Sequence, residues 1–409
     1  MGRPASLRVG VIGAGTAGAA AALFLARAGH EVVVYERVPE PGPVGAGILL
    51  QPTGQRVLHR LGLLEPIRDA GARVAGLTCL TPRGRPVVDI QYRSLAPDLA
   101  GLGLHRGVLF ETLFQAAQRE PGVTIHCGVE IEDLAAAGAR NFMIEKGSRV
   151  QHGPFDLVVV ADGARSQLRD DTDLRKSVHS YPWGALWWIG EDREGAFSDT
   201  LFQIADGTRV LLGFLPSGRG PGSAAGPPLV SLFWSARCDR FQECLGEGFQ
   251  PWKETVVRYA PRSAGFLSRL EAPEALIFSA YLEVRMRRWN TDNVVYLGDA
   301  AHAMSPQLGQ GCNLALMDAE QLARGLAAGE TLAEGLLAYS AARRRHLRFY
   351  QFASRLLTLL FQSDYALLGP IRDLGMGLSN RVPFFNRRMV LVMTGMAQGF
   401  VGAPLPLPD

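Results

Sequence analysis

Three glycines near the start of the chain are spaced as a phosphate-binding loop requires. Gly13, Gly15 and Gly18 form the pattern G-x-G-x-x-G, with Thr16 and Ala17 at its variable positions. In such a loop the first glycine makes a tight turn, the second lets the backbone approach a pyrophosphate, and the third lets a helix pack closely on a strand. The N–H groups at the start of that helix then bind phosphate oxygens. The spacing therefore predicts a dinucleotide-binding site.

Glu36 adds a second feature of dinucleotide binding. Residues 9–12 predict a buried strand, residues 19–28 a helix, and residues 31–35 the strand that ends at Glu36. An acidic residue at this distance from the glycine loop binds both hydroxyls of a ribose. Arg37 follows directly and belongs to the predicted cofactor contacts. The alternative, a glycine-rich turn in an ordinary α/β domain, is disfavoured by the complete strand–loop–helix–strand order.

A second segment places a carboxylate beside the start of a helix. Residues 294–297 predict a strand, and Asp299 follows at its carboxyl end. A short loop rich in proline and glycine then opens a helix. The predicted cofactor contacts of this loop and helix are Pro306, Gly309, Gly311, Cys312 and Asn313. We expect Cys312 to contribute its backbone rather than its thiol.

A third polar strand end occurs at Asp162. It follows the apolar strand predicted at 155–160 and precedes Gly163. The carboxyl ends of strands in an open α/β sheet face one ligand crevice. One extended ligand would therefore contact the glycine loop, Asp162 and Asp299 together.

These motifs resemble those of the class A flavoprotein monooxygenases, the family of para-hydroxybenzoate hydroxylase and the ubiquinone-biosynthesis hydroxylases. The likeness covers most of residues 7–325. Residues 298–318 are similar to the second FAD fingerprint of this family, and residues 162–166 (DGARS) are similar to its DG motif. Val160 departs from the family pattern, in which the strand more often ends in Gly-Ala-Asp-Gly.

Three further features fit the same resemblance. Arg106 opens a helix where the family places an arginine near the flavin. Residues 45–48 resemble the flexible segment with which the family contacts the flavin. His302 lies within the second fingerprint, and we expect it to be a packed structural histidine rather than a base.

The resemblance implies an FAD-dependent monooxygenase with NADPH or NADH as reductant and O₂ as co-substrate. Such an enzyme hydroxylates an aromatic, quinone-like or polyketide-like molecule through a flavin hydroperoxide. The helix that starts near Gly311 would stabilise anionic reduced flavin through its positive N-terminal end. We assign no residue as a catalytic acid or base, since the cofactor performs the chemistry while the protein positions and shields it. The sequence has no second complete G-x-G-x-x-G, which suits a family without a separate nicotinamide domain.

The predicted fold class is α/β: an FAD-binding Rossmann-like domain with an inserted, mostly antiparallel β-sheet substrate domain and C-terminal helices. Strand-forming segments dominate from residue 177 to residue 285, and residues 330–361 predict a nearly continuous helix. The predicted division has FAD-binding segments at 1–72, 99–176 and 286–329, substrate-domain segments at 73–98 and 177–285, and a C-terminal helical region at 330–409.

The inserted sheet is expected to form the roof of the substrate pocket. The predicted substrate contacts are Trp187, Tyr281 and Pro306. Strand alternation places Trp183 with Trp187 on one face, and packing within the core is an equal alternative for these rings. Arg285 and Arg287 share the face of Tyr281, where they would either meet an anionic substrate group or lie in solvent.

Composition and charge restrict the partners and the cellular compartment that we expect for the protein. The 409 residues carry a formal net charge of +3, too little to suggest a nucleic-acid surface. The five cysteines contain no C-x-x-C pair, which predicts a reducing cytoplasm and no metal site. Residues 343–346 (RRRH) precede an apolar stretch, so this segment would either lie on a membrane or, as we favour, pack on the FAD domain. The expected assembly is a monomer or homodimer.

Two other functions compete with hydroxylation. A reductase, dehydrogenase or halogenase of the same fold would share the cofactor motifs, but residues 183–190 lack the W-x-W-x-I-P signature of halogenases. A flavin-binding redox sensor would need an output module, and the predicted segments leave none over.

Overall fold

The computed structural model describes residues 6–42, 45–170, 173–223, 226–380, 382–399 and 402–406. Within these ranges the chain forms strands and helices of an α/β protein. The strands are β1 (Arg8–Ile12), β2 (Glu31–Glu36), β3 (Gly47–Leu50), β4 (Ala72–Val74), β5 (Gly76–Leu80), β6 (Pro86–Gln91), β7 (Gly101–His105), β8 (Val123–Cys127), β9 (Ile131–Ala137), β10 (Arg140–Glu145), β11 (Gln151–Phe155), β12 (Leu157–Val160), β13 (Arg175–Glu191), β14 (Thr200–Asp206), β15 (Val210–Pro216), β16 (Leu229–Arg237), β17 (Ile277–Met286) and β18 (Val294–Tyr296). The helices are α1 (Thr16–Arg27), α2 (Pro52–Arg60), α3 (Leu64–Ala70), α4 (Arg106–Arg119), α5 (Gln167–Asp170), α6 (Phe249–Tyr259), α7 (Ala264–Ser268), α8 (Asp299–His302), α9 (Gly311–Ala328), α10 (Leu332–Phe361), α11 (Leu368–Ser379) and α12 (Pro383–Met393).

A five-stranded parallel sheet carries the nucleotide-binding motifs. Its strand order is β18-β12-β1-β2-β8, and every neighbouring pair is parallel. The central strands are runs of β-branched residues such as LVVV in β12, which suit burial on both faces. Helix α1 packs against α4 and α9 on this domain. Since the strands are parallel, the carboxyl ends of β1, β12 and β18 lie at one edge of the sheet.

A seven-stranded sheet forms the second layer and combines two distant stretches of the chain. Its order is β17-β13-β16-β15-β14-β5-β6, and only the β14–β5 pair is parallel. The predicted mostly antiparallel sheet is confirmed, although β13 begins at Arg175, well before the predicted strand at 183. An irregularity between Ser180 and Gly184 lets the long strand continue past Pro182 while it pairs with β17.

The two faces of this sheet have different neighbours. One face packs on α6 and α7 in a separate core that contains Trp188, Phe214 and Phe266. The other face contributes Trp187 and Phe233 to a cavity above the parallel sheet. A small sheet in the order β3-β7-β4 lies beside that cavity, and β9, β10 and β11 form a further three-stranded sheet.

The C-terminal helices follow the predicted long helix. Helix α10 packs along α9, while α11 and α12 contact the edge strand β6. The side-chain amides of Asn380 and Asn386 donate to the carbonyls of Val87 and Asp89 at 3.1 and 3.0 Å, which satisfies part of that edge. Helix α12 starts at Pro383, in the first turn of the helix, where proline is tolerated.

Residues 343–346 lie in α10, which packs on the FAD domain through α9, the favoured of the two alternatives for this segment. Arg343 and His346 are buried, since α10 turns this side towards α9, and only Arg344 and Arg345 are exposed. In the parts of the chain that the structure describes, no helix combines the length and apolarity needed to cross a membrane.

Candidate active site

The parallel sheet and the seven-stranded sheet enclose one cavity of about 500 Å³. Its floor consists of the glycine loop, residues after Asp162, and the loop that leads into α9. Its roof consists of side chains from β5, β14, β15, β16, β13 and β17. A single cavity is therefore bordered by all three predicted nucleotide motifs and by the inserted sheet.

The three glycines of the first loop have three different environments. Gly13 has φ of +95°, and an added Cβ would lie 2.6 Å from the carbonyl oxygen of Ala161. At Gly18 an added Cβ would lie 1.9 Å from the carbonyl oxygen of Gly13, so only glycine permits this approach of helix to loop. At Gly15 an added Cβ would meet no atom within 4 Å, because the position borders the cavity. The loop thus has a turn, a close packing contact and an open cradle.

Glu36 holds the glycine loop in place. Its Oε2 accepts a hydrogen bond from the Ala14 N–H at 2.8 Å, and its Oε1 accepts one from the Val38 N–H at 3.0 Å. These contacts position the carboxylate at the end of β2 beside the loop. Thr16 and Ala17 line the cavity, whereas Arg37 is exposed.

Asp162 has a buried carboxylate oxygen that accepts no hydrogen bond from the described residues. Its Oδ1 is buried and has no hydrogen-bond partner among the described residues. Burial raises the pKa of this carboxyl to about 6, although hydrogen bonding to Ser166 and the charge of Arg169 oppose the shift. Gly163, at φ of +90°, has open space where a Cβ would stand and lines the cavity. This combination fits a ligand that brings its own hydrogen-bond donors.

The second motif meets the first at the mouth of α9. An added Cβ on Gly298 would lie 2.9 Å from the Ala17 side chain, which shows how closely the two motifs approach. Asp299 is exposed to the cavity, and Arg106, Pro306, Gly309, Gly311 and Cys312 also line it. Within α9, Leu314 is the first residue whose N–H donates back along the helix, to Gln310 at 2.9 Å. The N–H groups of the first turn therefore have no helical partner and face the end of the cavity.

Asn313 has a structural role that its position in the motif did not reveal. The side chain is fully buried, its Oδ1 accepts from the Gln51 N–H at 2.8 Å, and its Nδ2 donates to the carbonyls of Leu49 and Gly309. The side chain therefore ties β3 and the preceding loop to α9 rather than facing the cavity. Burial raises the pKa of the neighbouring Cys312 thiol to about 12, so it stays protonated.

A buried ionic network supports the turn before Asp299. Asp318 on α9 accepts through Oδ2 from the Gly298 N–H at 3.0 Å and lies 2.5 Å from His302 Nε2. Its Oδ1 accepts from Arg343 Nε at 2.6 Å. Burial acts to raise the pKa of Asp318, but His302 and Arg343 outweigh it and hold this pKa below its usual range. His302 is packed in this network, away from the cavity lining.

Two predicted substrate contacts, Trp187 and Tyr281, lie in the roof, and the third, Pro306, lies in the floor loop that leads into α9. Trp187, Tyr281 and Pro306 line the cavity, whereas Arg285 and Arg287 are not among its lining residues. The Trp187 ring lies 5.3 Å from that of Phe233. Gln203, Phe233 and Gln362 also line the cavity, and the sequence analysis missed them. Gln203 had a usable signal, since it interrupts the otherwise apolar core of β14 (TLFQIAD) on the face of Leu201.

Comparisons with known proteins agree with this arrangement. Residues 6–228 and 250–350 match the family model described as an FAD binding domain. A probable 2-heptyl-3-hydroxy-4(1H)-quinolone synthase, AqdB2 of Rhodococcus erythropolis, is 29% identical over 82% of this chain and 83% of that protein. A kynurenine 3-monooxygenase of Salinispora arenicola is also 29% identical, over 83% of this chain and 76% of that protein.

Solved structures share the fold at lower identity. HpxO of Klebsiella pneumoniae, complexed with FAD, has a TM-score of 0.77 and 18% identity over 94% of this chain and 99% of that one. The tetrameric form of 2-methyl-3-hydroxypyridine-5-carboxylic acid oxygenase has a TM-score of 0.74 and 22% identity over 91% of this chain and 96% of that one. The chain therefore belongs to the FAD-binding-domain family and is an FAD-dependent monooxygenase of the class A flavoprotein hydroxylases.

Proposed function

We propose that this enzyme hydroxylates an aromatic small molecule in the cavity between its two sheets, with NADPH or NADH as reductant. One observation carries the proposal: the same cavity is bordered by the FAD-binding motifs on one side and by Trp187, Phe233 and Tyr281 on the other. The matched relatives are named for aromatic compounds, among them a quinolone, kynurenine and 6-methylpretetramide. Aromatic side chains opposite the flavin site suit a flat substrate.

The floor residues are assigned to FAD by their chemistry. The open backbone at Gly15, with Thr16 and Ala17, would bind the pyrophosphate at the start of α1. Glu36 would bind the ribose hydroxyls, and the unpartnered Asp162 Oδ1 would accept a donor from the cofactor. The second motif would hold the flavin end through Asp299, Pro306, Gly309, Gly311 and the backbone of Cys312 and Asn313, and Arg106 at the start of α4 would assist it.

FAD, when bound, supplies the reduction and activation of O₂ and the transfer of one oxygen atom. The protein then has three tasks. The N-terminal end of α9, whose first-turn N–H groups have no helical partner, would stabilise negative charge on the flavin ring. The roof excludes water from the reacting ring. Tyr281 stays a neutral phenol, because burial raises its pKa, and it hydrogen-bonds Gln362. No side chain is assigned as a catalytic acid or base.

The functional division of the chain follows from these assignments. FAD-binding segments span 1–72, 99–176 and 286–329, substrate-domain segments span 73–98 and 177–285, and the C-terminal helical region spans 330–409. We further expect the protein to be cytoplasmic and to be a monomer or a homodimer. Light scattering after size exclusion would determine the number of subunits.

The proposed function can be tested without knowing the substrate in advance. The purified yellow protein is incubated with NADPH or NADH and a panel of aromatic compounds under ¹⁸O₂. A hydroxylase consumes the nicotinamide faster with a suitable compound and yields a product heavier by one ¹⁸O atom. If every compound gives only hydrogen peroxide and no labelled product, the proposed hydroxylation is wrong.

Replacing Asp299 is expected to weaken FAD retention. The Asp299 carboxylate is exposed to the cavity at the end of β18, and its loss should remove one charge-assisted hydrogen bond to the cofactor. In Asp299→Ala we expect FAD to bind roughly tenfold more weakly, measured by flavin fluorescence during titration of the apoprotein. Asp292→Ala, an exposed site away from the cavity lining, is the control. Unchanged FAD affinity in Asp299→Ala would remove this residue from the site.

Replacing Asp162 is expected to have opposite effects on the apoprotein and on cofactor binding. Because the folded pKa of about 6 exceeds the ordinary value of 3.8, the carboxyl costs stability as pH rises through that interval. Asp162→Asn should therefore stabilise the FAD-free protein by about 3 kcal/mol at pH 8 and by about half as much at pH 5. The same change should weaken FAD binding. A melting-temperature difference that is equal at pH 5 and pH 8 would contradict the assigned burial cost.

A further inference from the structure

A row of directly paired residues crosses the cavity face of the seven-stranded sheet. Trp187 pairs with Phe233, Phe233 with Gly213, and Gly213 with Gln203. Directly paired residues point to the same face of a sheet, so the row places two aromatic rings and one amide on the roof. An added Cβ on Gly213 would lie 2.1 Å from the tip of the Phe233 ring, which shows that this ring lies across the glycine towards Gln203.

Gln203 is a polar side chain in apolar surroundings. Its neighbours in the cavity lining include Leu77, Leu201 and Leu211. The amide has no hydrogen-bond partner in the described portion of the chain, although it is partly buried in the middle of β14. By contrast, Gln362 is occupied, since it donates to the Gly184 carbonyl at 3.1 Å and accepts from Gln307. A partly buried free amide is stabilised when a ligand supplies the missing donor and acceptor.

The roof offers no partner for a charged substrate group. Among the described residues that line the cavity, Arg106 and Asp299 are the charged ones, and both belong to the floor, where their charges act on Cys312. The roof side chains from all six strands are uncharged. A carboxylate placed beneath the roof would lose its hydration without gaining a cation, which is strongly unfavourable.

We propose that the substrate is an uncharged aromatic molecule whose ring packs against Trp187 and Phe233 and whose neutral polar group hydrogen-bonds Gln203. This inference rests on the proposed hydroxylase function. The amide of Gln203 both donates and accepts, so it matches a group such as a lactam, a ring carbonyl or a phenol. Gln203 is thus assigned as the residue that fixes the orientation of the substrate ring.

The test compares two quinolones that differ at carbon 2, where one carries a neutral methyl group and the other a carboxylate. The oxidised holoenzyme is titrated with 2-methyl-4(1H)-quinolone and with 4(1H)-quinolone-2-carboxylate, and binding is followed by perturbation of the flavin spectrum and quenching of tryptophan fluorescence. We expect the neutral quinolone to bind at least 100-fold more tightly than the carboxylate. Equal or tighter binding of the carboxylate, or no binding of the neutral compound up to its solubility limit, overturns the proposal.

Two variants test the role of Gln203 itself. Gln203→Met keeps the length of the side chain but removes the amide, and should weaken binding of the neutral quinolone about fivefold to tenfold. Thr200→Val is the matched control, because the Thr200 hydroxyl on the same strand donates to Asp199 and does not line the cavity. Flavin content and circular dichroism verify that each variant folds. Wild-type affinity in Gln203→Met overturns the assignment.

This binding assay separates the inference from the function. It needs neither nicotinamide nor oxygen, so the charge preference can hold even if no labelled product forms. Conversely, labelled product from a carboxylate substrate, with tight binding of that carboxylate, would confirm the hydroxylase and reject the neutral substrate.

Discussion

Replacing Gly15 by valine is expected to give a folded protein that has lost its FAD. Gly15 has φ of −68°, which valine adopts without strain, and an added Cβ meets no protein atom within 4 Å. The side chain would therefore occupy only the space in which the backbone approaches the pyrophosphate. We expect cofactor affinity to fall by at least 100-fold while the unfolding temperature of the FAD-free protein stays within a few degrees of wild type.

The matched change at Gly18 should do the opposite. In Gly18→Ala the new methyl group would stand 1.9 Å from the Gly13 carbonyl oxygen, so helix α1 must move away from the loop. This backbone clash is expected to destabilise the fold by several kcal/mol or prevent soluble expression. Both proteins are compared by absorbance at the flavin band and by thermal denaturation. Normal FAD content in Gly15→Val would show that the pyrophosphate does not contact this backbone.

The glycine loop could be predicted from the sequence for a physical reason. Each of its glycines is required by a local constraint: a positive φ at Gly13, an open approach at Gly15 and a close packing contact at Gly18. Local backbone constraints leave a spacing pattern that can be recognised without a structure. The parallel sheet was predictable for a similar reason, since β1, β2 and β12 each contain a continuous apolar run.

Other features depend on contacts that residue spacing does not record. The Asn313 side chain binds the backbone of β3 and Gln51, because these residues fold back against α9 from more than 260 positions earlier in the chain. Gln203 stands out locally as a polar residue in an apolar strand, but its place beside the aromatic rings follows only from the pairing of β14 with β15 and of β15 with β16. Neither relation can be inferred from residue type and spacing alone.

Arg343 is a further case, because residue type alone does not show which side chains of residues 343–346 face the FAD domain and which face outward. In the structure the helix periodicity of α10 turns Arg343 and His346 inward while Arg344 and Arg345 remain exposed. Burial of Arg343 is tolerated because it pairs with Asp318 at 2.6 Å and donates to the Leu314 carbonyl at 3.3 Å. The pair links the long C-terminal helix to α9, whose first turn lines the cavity.

Removing the Arg343 guanidinium should therefore cost stability and cofactor together. Arg343→Met leaves Asp318 buried with one partner fewer, and breaking a buried ion pair in this way costs about 3–5 kcal/mol. Since Asp318 also accepts from the Gly298 N–H, the turn that presents Asp299 should loosen, and FAD affinity should fall. We expect the melting temperature to drop by about 3–6 °C, measured by calorimetry on the FAD-free and FAD-loaded protein.

Two further variants, at Arg344 and at Asp318, test whether the effect comes from the Arg343–Asp318 ion pair. Arg344→Met removes an exposed charge one residue away and should change stability by less than about 0.5 kcal/mol. Combining Arg343→Met with Asp318→Asn should cost less than the sum of the single changes, because the second removes the charge that the first leaves unpaired. The pKa of Asp318 lies below its ordinary value of 3.8 in the folded protein, so its contribution is present above that pH and is lost on acidification. In Arg343→Met we expect this loss of stability to begin at a higher pH than in the wild type. If the two single changes instead add up in the double variant, and if the pH at which stability is lost does not move, the ion pair does not hold the two helices together.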